Sequence, residues 1–379
     1  MDKNTITISH LPSPTWVRLG VNGDEIDADI FKKAAAGKTN ANVADRKIIS
    51  QKQADELIYS HTGEIVREKY VAGKSPIYNE QYLATGLGKD FENAIGGACP
   101  DIELYTIENG KSHSSPIILT ADITDDFTVY RQIIHAKKGV CATVILLSES
   151  PKTGKGAVET RVICEEGSSI RLIKIGLWGA ETEIYDDNGA YLEKDSSFVF
   201  SQLLLGGGNV HTGQYADLRG DNSRFVIGSG YFISGESKTD INYIATHRGK
   251  NTHSKIYSGG ALKDNAVKVF KGTIDFRDGS ANSEGDEQED VLLLSENVIN
   301  KSVPVILSEE ETVDGRHGAT IGNLSEDILF YLASRGIDKT SAEMLFTRGK
   351  LMTITKSIPD KSIKEKISTY ILEAFEANE

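Results

Sequence analysis

The chain has 379 residues, with 42 Lys and Arg against 55 Asp and Glu, a net charge of −13, and 39% hydrophobic residues. So acidic a surface repels phosphate backbones and sets nucleic acid aside, and no run of about 18 apolar residues is present to span a membrane. The cysteines Cys99, Cys141 and Cys164 form no CxxC pair, and the opening MDKNTITISHLPSP lacks the basic and apolar regions of a signal peptide, so a reducing cytoplasm is expected.

Residues 1–95 read as an irregular region with short helices. The stretches Glu25–Ala36 and Ile49–Tyr59 have helix-compatible composition, separated by the polar KTNANVADR segment. Between about Ile117 and Leu307 the pattern turns to short β runs, among them CATVILLS, ETRVICEE, SIRLIKIGLW, SFVFSQLLL, RFVIGSGYFIS and VKVFKGTIDF. No long amphipathic helix interrupts them, which excludes an alternating α/β fold.

A weak repeat precedes these runs at Gly139-Val140-Cys141, Gly167-Ser168-Ser169, Asp195-Ser196-Ser197, Asp221-Asn222-Ser223 and Asp264-Asn265-Ala266. Its intervals are 28, 28, 26 and 43 residues, the last close to two shorter coils. Such periods predict stacked coils, and with strands alone in the unit a β-solenoid is preferred to an antiparallel sandwich. The acidic DGSANSEGDEQED segment, Asp278–Asp290, is expected as an exposed loop.

The tail reads as helical. Ser325 caps a helix with Glu326 and Asp327 in its first turn, and Gly336 ends it. Thr340-Ser341-Ala342-Glu343 matches a capping box for a short helix ending near Gly349. A last helix starts near Pro359, with Ile363, Ile367, Tyr370, Ile371 and Ala374 on one face. Two roles are open for these apolar faces: closing the end of the β stack, or docking another protein. Ile328, Leu329 and Leu332 are expected to anchor the first helix, leaving residues 338–355 available.

Residues 290–337, DVLLLSENVINKSVPVILSEEETVDGRHGATIGNLSEDILFYLASRGI, resemble the C-terminal signature of the SufB/SufD family: an apolar run, a P-x-[IL] strand, an H-[GE]-A-T element and a D/E-D-x-LFYL-x-SRG helix. The form His317-Gly318-Ala319-Thr320 is nearer the SufD branch than the SufB branch, which typically has Glu after the histidine. The resemblance implies a mainly β chain: a right-handed parallel β-helix over residues 96–322, flanked by the N-terminal region and by a C-terminal helical domain over 323–379. It also implies a scaffold subunit for iron–sulfur cluster assembly that pairs with a SufB-like subunit and docks a SufC-type ATPase on its C-terminal helices. Glu326, Asp327, Arg335, Met344, Leu345 and Leu351 are the candidate contacts for that docking, and deleting residues 338–379 is expected to abolish it and leave the β-domain folded.

ATP hydrolysis is assigned to the partner, because the chain has no GxxxxGK[ST] loop. Family members often carry a cysteine two residues before the motif histidine, where this chain has Gly315. A thiolate is a favoured cluster ligand, so no tightly bound cofactor is expected, and a cluster touches the chain only transiently at the subunit interface. His317 is the candidate ligand there, or else a polar interface contact.

Other features have plainer readings. His247 and His253 bracket ATHRGKNTHSK and read as solvated loop histidines. Cys141 and Cys164 lie in apolar β runs and read as small hydrophobes. The Gly-rich GLGKD and GGGN segments lack the strand–loop–helix context of nucleotide sites and read as turns. The alternatives are a SufB-like homodimer that carries the cluster itself, and a β-helix carbohydrate-active enzyme, for which neither an export signal nor recurrent carboxylates are present.

Overall fold

The computed structural model describes residues 4–15, 19–42, 46–62, 84–108, 115–150 and 152–376, so residues 43–45 of the KTNANVADR stretch lie outside it. From residue 101 the chain passes back and forth between two sheets. The first holds, in spatial order, Asp101–Ile107, Thr128–Ala136, Thr153–Cys164, Glu181–Leu192, Asn209–Leu218, Lys238–His247, Val267–Phe276 and Ile299–Ser308. The second holds Ile117–Asp122, Cys141–Ser150, Ser169–Trp178, Ser197–Gly206, Arg224–Ile233, His253–Leu262, Glu284–Leu293 and Asp314–Gly322. Neighbouring strands are parallel throughout. Each coil gives one strand to each sheet, and the chain is a parallel β-solenoid with a helical C-terminal region.

One residue per coil sets the turn into the second sheet. Gly139, Gly167, Asp195, Asn222, Asn251 and Asn282 all have φ between 54° and 71°. Gly, Asn and Asp are the residues that tolerate this left-handed region. The turns also tie to one another: the N–H of Asn222 donates to Lys250 O and that of Asn251 to Ala281 O, both at 2.9 Å. The predicted repeat finds the first four of these turns. Its fifth member, Asp264, also has a positive φ of 62° but opens Val267–Phe276 in the first sheet. The 43-residue interval is therefore one and a half coils, not two short ones.

Along the middle of the stack both faces of each sheet are covered, which is why those strands read as near-continuous apolar runs. Inside, like residues stack coil upon coil; the rings of Phe198 and Phe225 lie 5.8 Å apart. The N-terminal region lies on the outer face of the first sheet. There helices α1 (Gln51–Thr62) and α2 (Lys89–Ala98) bury Ala54, Ile58, Phe91 and Ile95. The GLGKD segment makes a close backbone approach: a Cβ on Gly86 would stand 2.1 Å from the Gln214 nitrogen.

Three helices follow the last strand: α3 (Glu326–Ala333), α4 (Lys339–Thr355) and α5 (Lys361–Glu376). Ser325 caps α3 as predicted, accepting from Ile328 N at 3.3 Å. Asp338, not the Thr340 box, caps α4 by accepting from Ser341 N at 2.7 Å, and α4 continues through Gly349. The expected anchoring is reversed. No residue of α3 is buried, whereas α4 and α5 lie on the outer face of the second sheet through Leu351, Ile354, Ile363, Ile367, Ile371 and Phe375. Gly230 makes room for this, since a Cβ there would sit 3.0 Å from both Leu351 Cδ2 and Ile354 Cδ1.

Two further expectations fail for one reason: burial with a specific partner cannot be read from composition. In the Asp278–Asp290 segment, Glu284–Leu293 is a strand whose Glu287 and Glu289 point inward, each 2% exposed. Glu289 meets Lys268 and Ser302 there. His247 is fully buried rather than solvated. Its Nδ1 lies 2.6 Å from Thr252 Oγ1 and its Nε2 lies 2.7 Å from Ser254 Oγ, so two hydroxyls satisfy the ring.

Burial, with a smaller push from His253, holds the His247 imidazole down at about 3. Because the folded value lies below the unfolded value of about 6.5, the contribution is present above pH 6.5 and is lost as the pH falls. In urea unfolding at pH 7 and pH 4.5, wild type is expected to lose about 2 kcal/mol more over that interval than His247→Gln. Equal losses would show that His247 is not buried in its neutral form.

Candidate functional site

The two ends of the solenoid are built differently. At the first coil, Lys47–Ser50 pairs antiparallel with Asp101–Ile107, and Asn40–Ala41 pairs antiparallel with Ile117–Asp122, so the N-terminal segment closes both edges. At the other end Ile299–Ser308 and Asp314–Gly322 are the last strands of their sheets. Their outer backbone groups are a template for another strand.

The signature histidine lies on this open edge. His317 pairs with Glu287 of the preceding coil, Gly315 with Gly285, Ala319 with Glu289 and Ile321 with Val291. In that coil Gly285, Glu287, Glu289 and Val291 are the inward set. Parallel register therefore turns Gly315, His317, Ala319 and Ile321 to the same side, over the hollow. A Cβ at Gly315 would meet Ile306 Cγ2 and Phe276 Cε2, both at 3.1 Å, which confirms the direction. Among the described residues no further coil covers these positions: every residue of Asp314–Gly322 is exposed, Ile321 to 46%.

One strand below His317 the hollow is ionisable. Burial brings Lys268 down to about 7, with Glu287 opposing. Burial, helped by Asp286 and opposed by Lys268, pushes the Glu287 carboxyl up to about 7. The sequence signal for this floor is the alternation E-x-E-x-V at residues 287–291, hidden within an acidic stretch.

Beside the edge, α3 presents Ile328, Phe330 and Tyr331, exposed to 40%, 77% and 54%. The Arg335 guanidinium stacks 4.7 Å from the centre of the Tyr331 ring. Aromatic and Arg side chains next to unpaired edges form a surface suited to a protein partner. Among the tail candidates, Glu326, Asp327 and Arg335 are exposed on or just after α3. Leu345 is 54% exposed on α4 and Met344 half-buried, while Leu351 is 1% exposed against the sheet and unavailable to a partner while α4 stays docked.

Among the described residues, no ligand set of this chain's own assembles around His317. Among the described residues, the three-residue group of His, Cys, Asp or Glu with converging ligand atoms is His61, His135 and Glu165, on another part of the molecule. His253 is exposed, 3.6 Å from Glu284 Oε2. Cys164 is buried, its thiol pushed up to about 12, and burial raises the Cys99 thiol as well. Cys141 departs from its reading as a small hydrophobe, because it stands exposed where its strand begins. An interior cavity lined by Lys174, Trp178, Asp186 and Gln202 has about 10 Å³ of room, enough for one water molecule.

Comparison with known proteins agrees with this architecture. The family model for the "SUF system FeS cluster assembly, SufBD core domain" matches residues 118–350. The chain is similar to the iron–sulfur cluster assembly protein SufD of Bacillus subtilis, 27% identical over 59% of this chain and 51% of that one. It is also similar to SufD of Escherichia coli, 22% identical over 63% and 57%. A third relative, the iron–sulfur cluster assembly SufBD family protein ycf24 of Porphyra purpurea, is 26% identical over 44% and 34%. The chain thus spans about half the length of the two SufD proteins it matches. The matched region begins with the second sheet and runs through α3 into α4, taking in the solenoid together with its open end. The chain belongs to the SufBD core family of the SUF iron–sulfur cluster assembly system.

Proposed function

We propose that this chain is a non-catalytic, cytoplasmic scaffold subunit of Suf-type iron–sulfur cluster assembly. Its open end is covered by a SufB-like subunit, and its C-terminal helices receive a SufC-type ATPase. The observation that carries this reading is the contrast between the two ends of the solenoid. A fold that closes its first coil with antiparallel strands leaves its last coil bare, with Ile321 at 46% exposure and Phe330 at 77% alongside. A second coil stack set edge to edge satisfies the backbone groups of both sheets and covers the hollow.

In that assembly His317 faces the seam. It supplies one nitrogen, and the remaining ligands of a transient cluster come from the partner, since Gly315 offers no thiolate. The chain keeps no iron–sulfur cluster of its own. A homodimer formed through the same edges is the competing arrangement.

The test is anaerobic co-expression with a SufB-like subunit and a SufC-type ATPase, read by native mass spectrometry and iron–sulfide analysis. The wild-type chain is expected in a hetero-complex. Ile321→Lys is expected to weaken pairing at least tenfold, with its circular dichroism unchanged. His317→Ala is expected to leave the complex intact and lower cluster yield. Homodimers carrying iron and sulfide in the presence of the partner would overturn the reading, and full yield from His317→Ala would remove His317 as a ligand.

A further inference from the structure

We infer that His61, His135 and Glu165 form a binding site for one divalent transition-metal ion, which clamps helix α1 onto the solenoid. The three residues are remote in sequence and come from different elements. His61 is next to the last residue of α1, His135 ends the strand Thr128–Ala136 but for one residue, and Glu165 follows the strand Thr153–Cys164. One ligand atom from each lies within 4.8 Å of the others.

The geometry is close to what an ion requires. His135 Nε2 is 2.8 Å and His61 Nε2 3.8 Å from Glu165 Oε1. Bonds of about 2.0–2.1 Å in a tetrahedral site hold ligand atoms roughly 3.4 Å apart. Opening the first distance by about 0.6 Å and closing the second by about 0.4 Å reaches that spacing. The imidazole rings meet edge to face, with centroids 4.9 Å apart.

Surrounding groups set the ligands in place. Glu193, one coil beyond Glu165, has Oε1 3.1 Å from His61 Nδ1. A carboxylate on the far nitrogen of a ligating histidine fixes its tautomer and orientation. The Tyr191 hydroxyl donates to His61 O at 2.7 Å and holds the end of α1. Glu165 Oε2 accepts from Lys138 N at 3.0 Å, which leaves Oε1 directed at the histidines.

Lys137 Nζ lies 2.8 Å from the same Oε1. Its side chain is 41% exposed, so it can swing into water when a dication takes its place. The His61 and Glu165 side chains are 15% and 17% exposed, leaving a side of the site open to a water ligand. Two imidazoles and one carboxylate favour Zn²⁺, Fe²⁺ or Co²⁺ over Mg²⁺ or Ca²⁺.

The test is a Co²⁺ titration of the untagged chain, followed by visible absorption. One equivalent is expected to bind with d–d bands and no thiolate charge-transfer band, and Zn²⁺ is expected to displace it. His61→Gln and Glu165→Gln are expected to weaken binding at least tenfold. Zn²⁺ is expected to raise the thermal unfolding midpoint of wild type and not that of His61→Gln. Glu165→Gln also disturbs Lys137 and Lys138, so His61→Gln, on the outer helix, decides the matter if the other variant does not fold. Absence of saturable binding in wild type, or unchanged affinity in His61→Gln, would overturn the site.

Discussion

Glu159→Ala is expected to cost about 3–5 kcal/mol, the largest loss from any single substitution considered for this chain. The Glu159 carboxylate lies between two buried guanidinium groups: Arg131 Nε donates to Oε2 at 2.6 Å and Arg161 Nη2 to Oε1 at 2.8 Å. The side chains of Arg131, Glu159 and Arg161 are 0%, 2% and 1% exposed. Arg161 also reaches Glu92 of α2 at 2.7 Å, and Arg131 donates to Cys99 O at 3.0 Å. The cluster thus fastens α2 to the first sheet.

Burial alone would raise the Glu159 carboxyl, but Arg161 and Arg131 override it and hold it at about 2. Removing the carboxylate leaves two desolvated cations, with Glu92 paired to Arg161 at 2.7 Å and the buried Asp187 acting on Arg161 from farther off. Because the folded value is depressed, the contribution is complete above pH 4.5 and fades as the pH drops toward 2. Urea unfolding at pH 7 is the measurement. A loss below 1 kcal/mol would mean that the arginines find other partners, and the cluster would not be what fastens α2.

This cluster lies where sequence reading ends. The β runs, the presence of a helical tail and the turns at Gly139, Gly167, Asp195 and Asn222 are local patterns, and each is found in the structure, although the second tail helix is capped by Asp338 and runs past Gly349. The signature around His317 was legible because its residues are contiguous. By contrast, the pairing of Lys268 with Glu289, of Glu159 with Arg131, and the meeting of His61 with His135 depend on register between separate coils. No local pattern encodes that register. A charged residue in a β run looks the same whether it meets water or a partner one coil away, and so the sequence around Glu287 and Glu289 reads as loop. The open end was hidden for a related reason. A bare terminal coil has the composition of a covered one, and only the exposure of every residue of Asp314–Gly322 shows that, among the described residues, none lies over His317.

Deleting residues 338–379 is expected to yield a chain that self-associates and binds a hydrophobic dye, in place of the separable β-domain that the tail's composition suggests. Helices α4 and α5 form one wall of a core. Removing them uncovers Ile145, Ile173, Ile175, Leu203, Leu205 and Phe232 on the second sheet. Each such side chain contributes roughly 1.5–3 kcal/mol when buried, and together they would make an apolar face far larger than a soluble monomer tolerates. Polar ties are lost as well: Tyr370 donates to Trp178 O at 2.6 Å, Lys366 pairs with Glu149 at 2.7 Å, and Lys350 with Asp290 at 2.5 Å. Lost ATPase binding in the truncated chain would then report on folding, not on docking. Leu345→Asp separates the two, because Leu345 is 54% exposed on α4 and its replacement should change stability by less than about 0.5 kcal/mol. If α4 receives the ATPase, that variant is expected to lose binding while remaining folded. Light scattering and near-ultraviolet circular dichroism of the truncated chain provide the other half of the argument. A monomeric, native-like spectrum would show that the tail rests on the sheet without being needed to fold it.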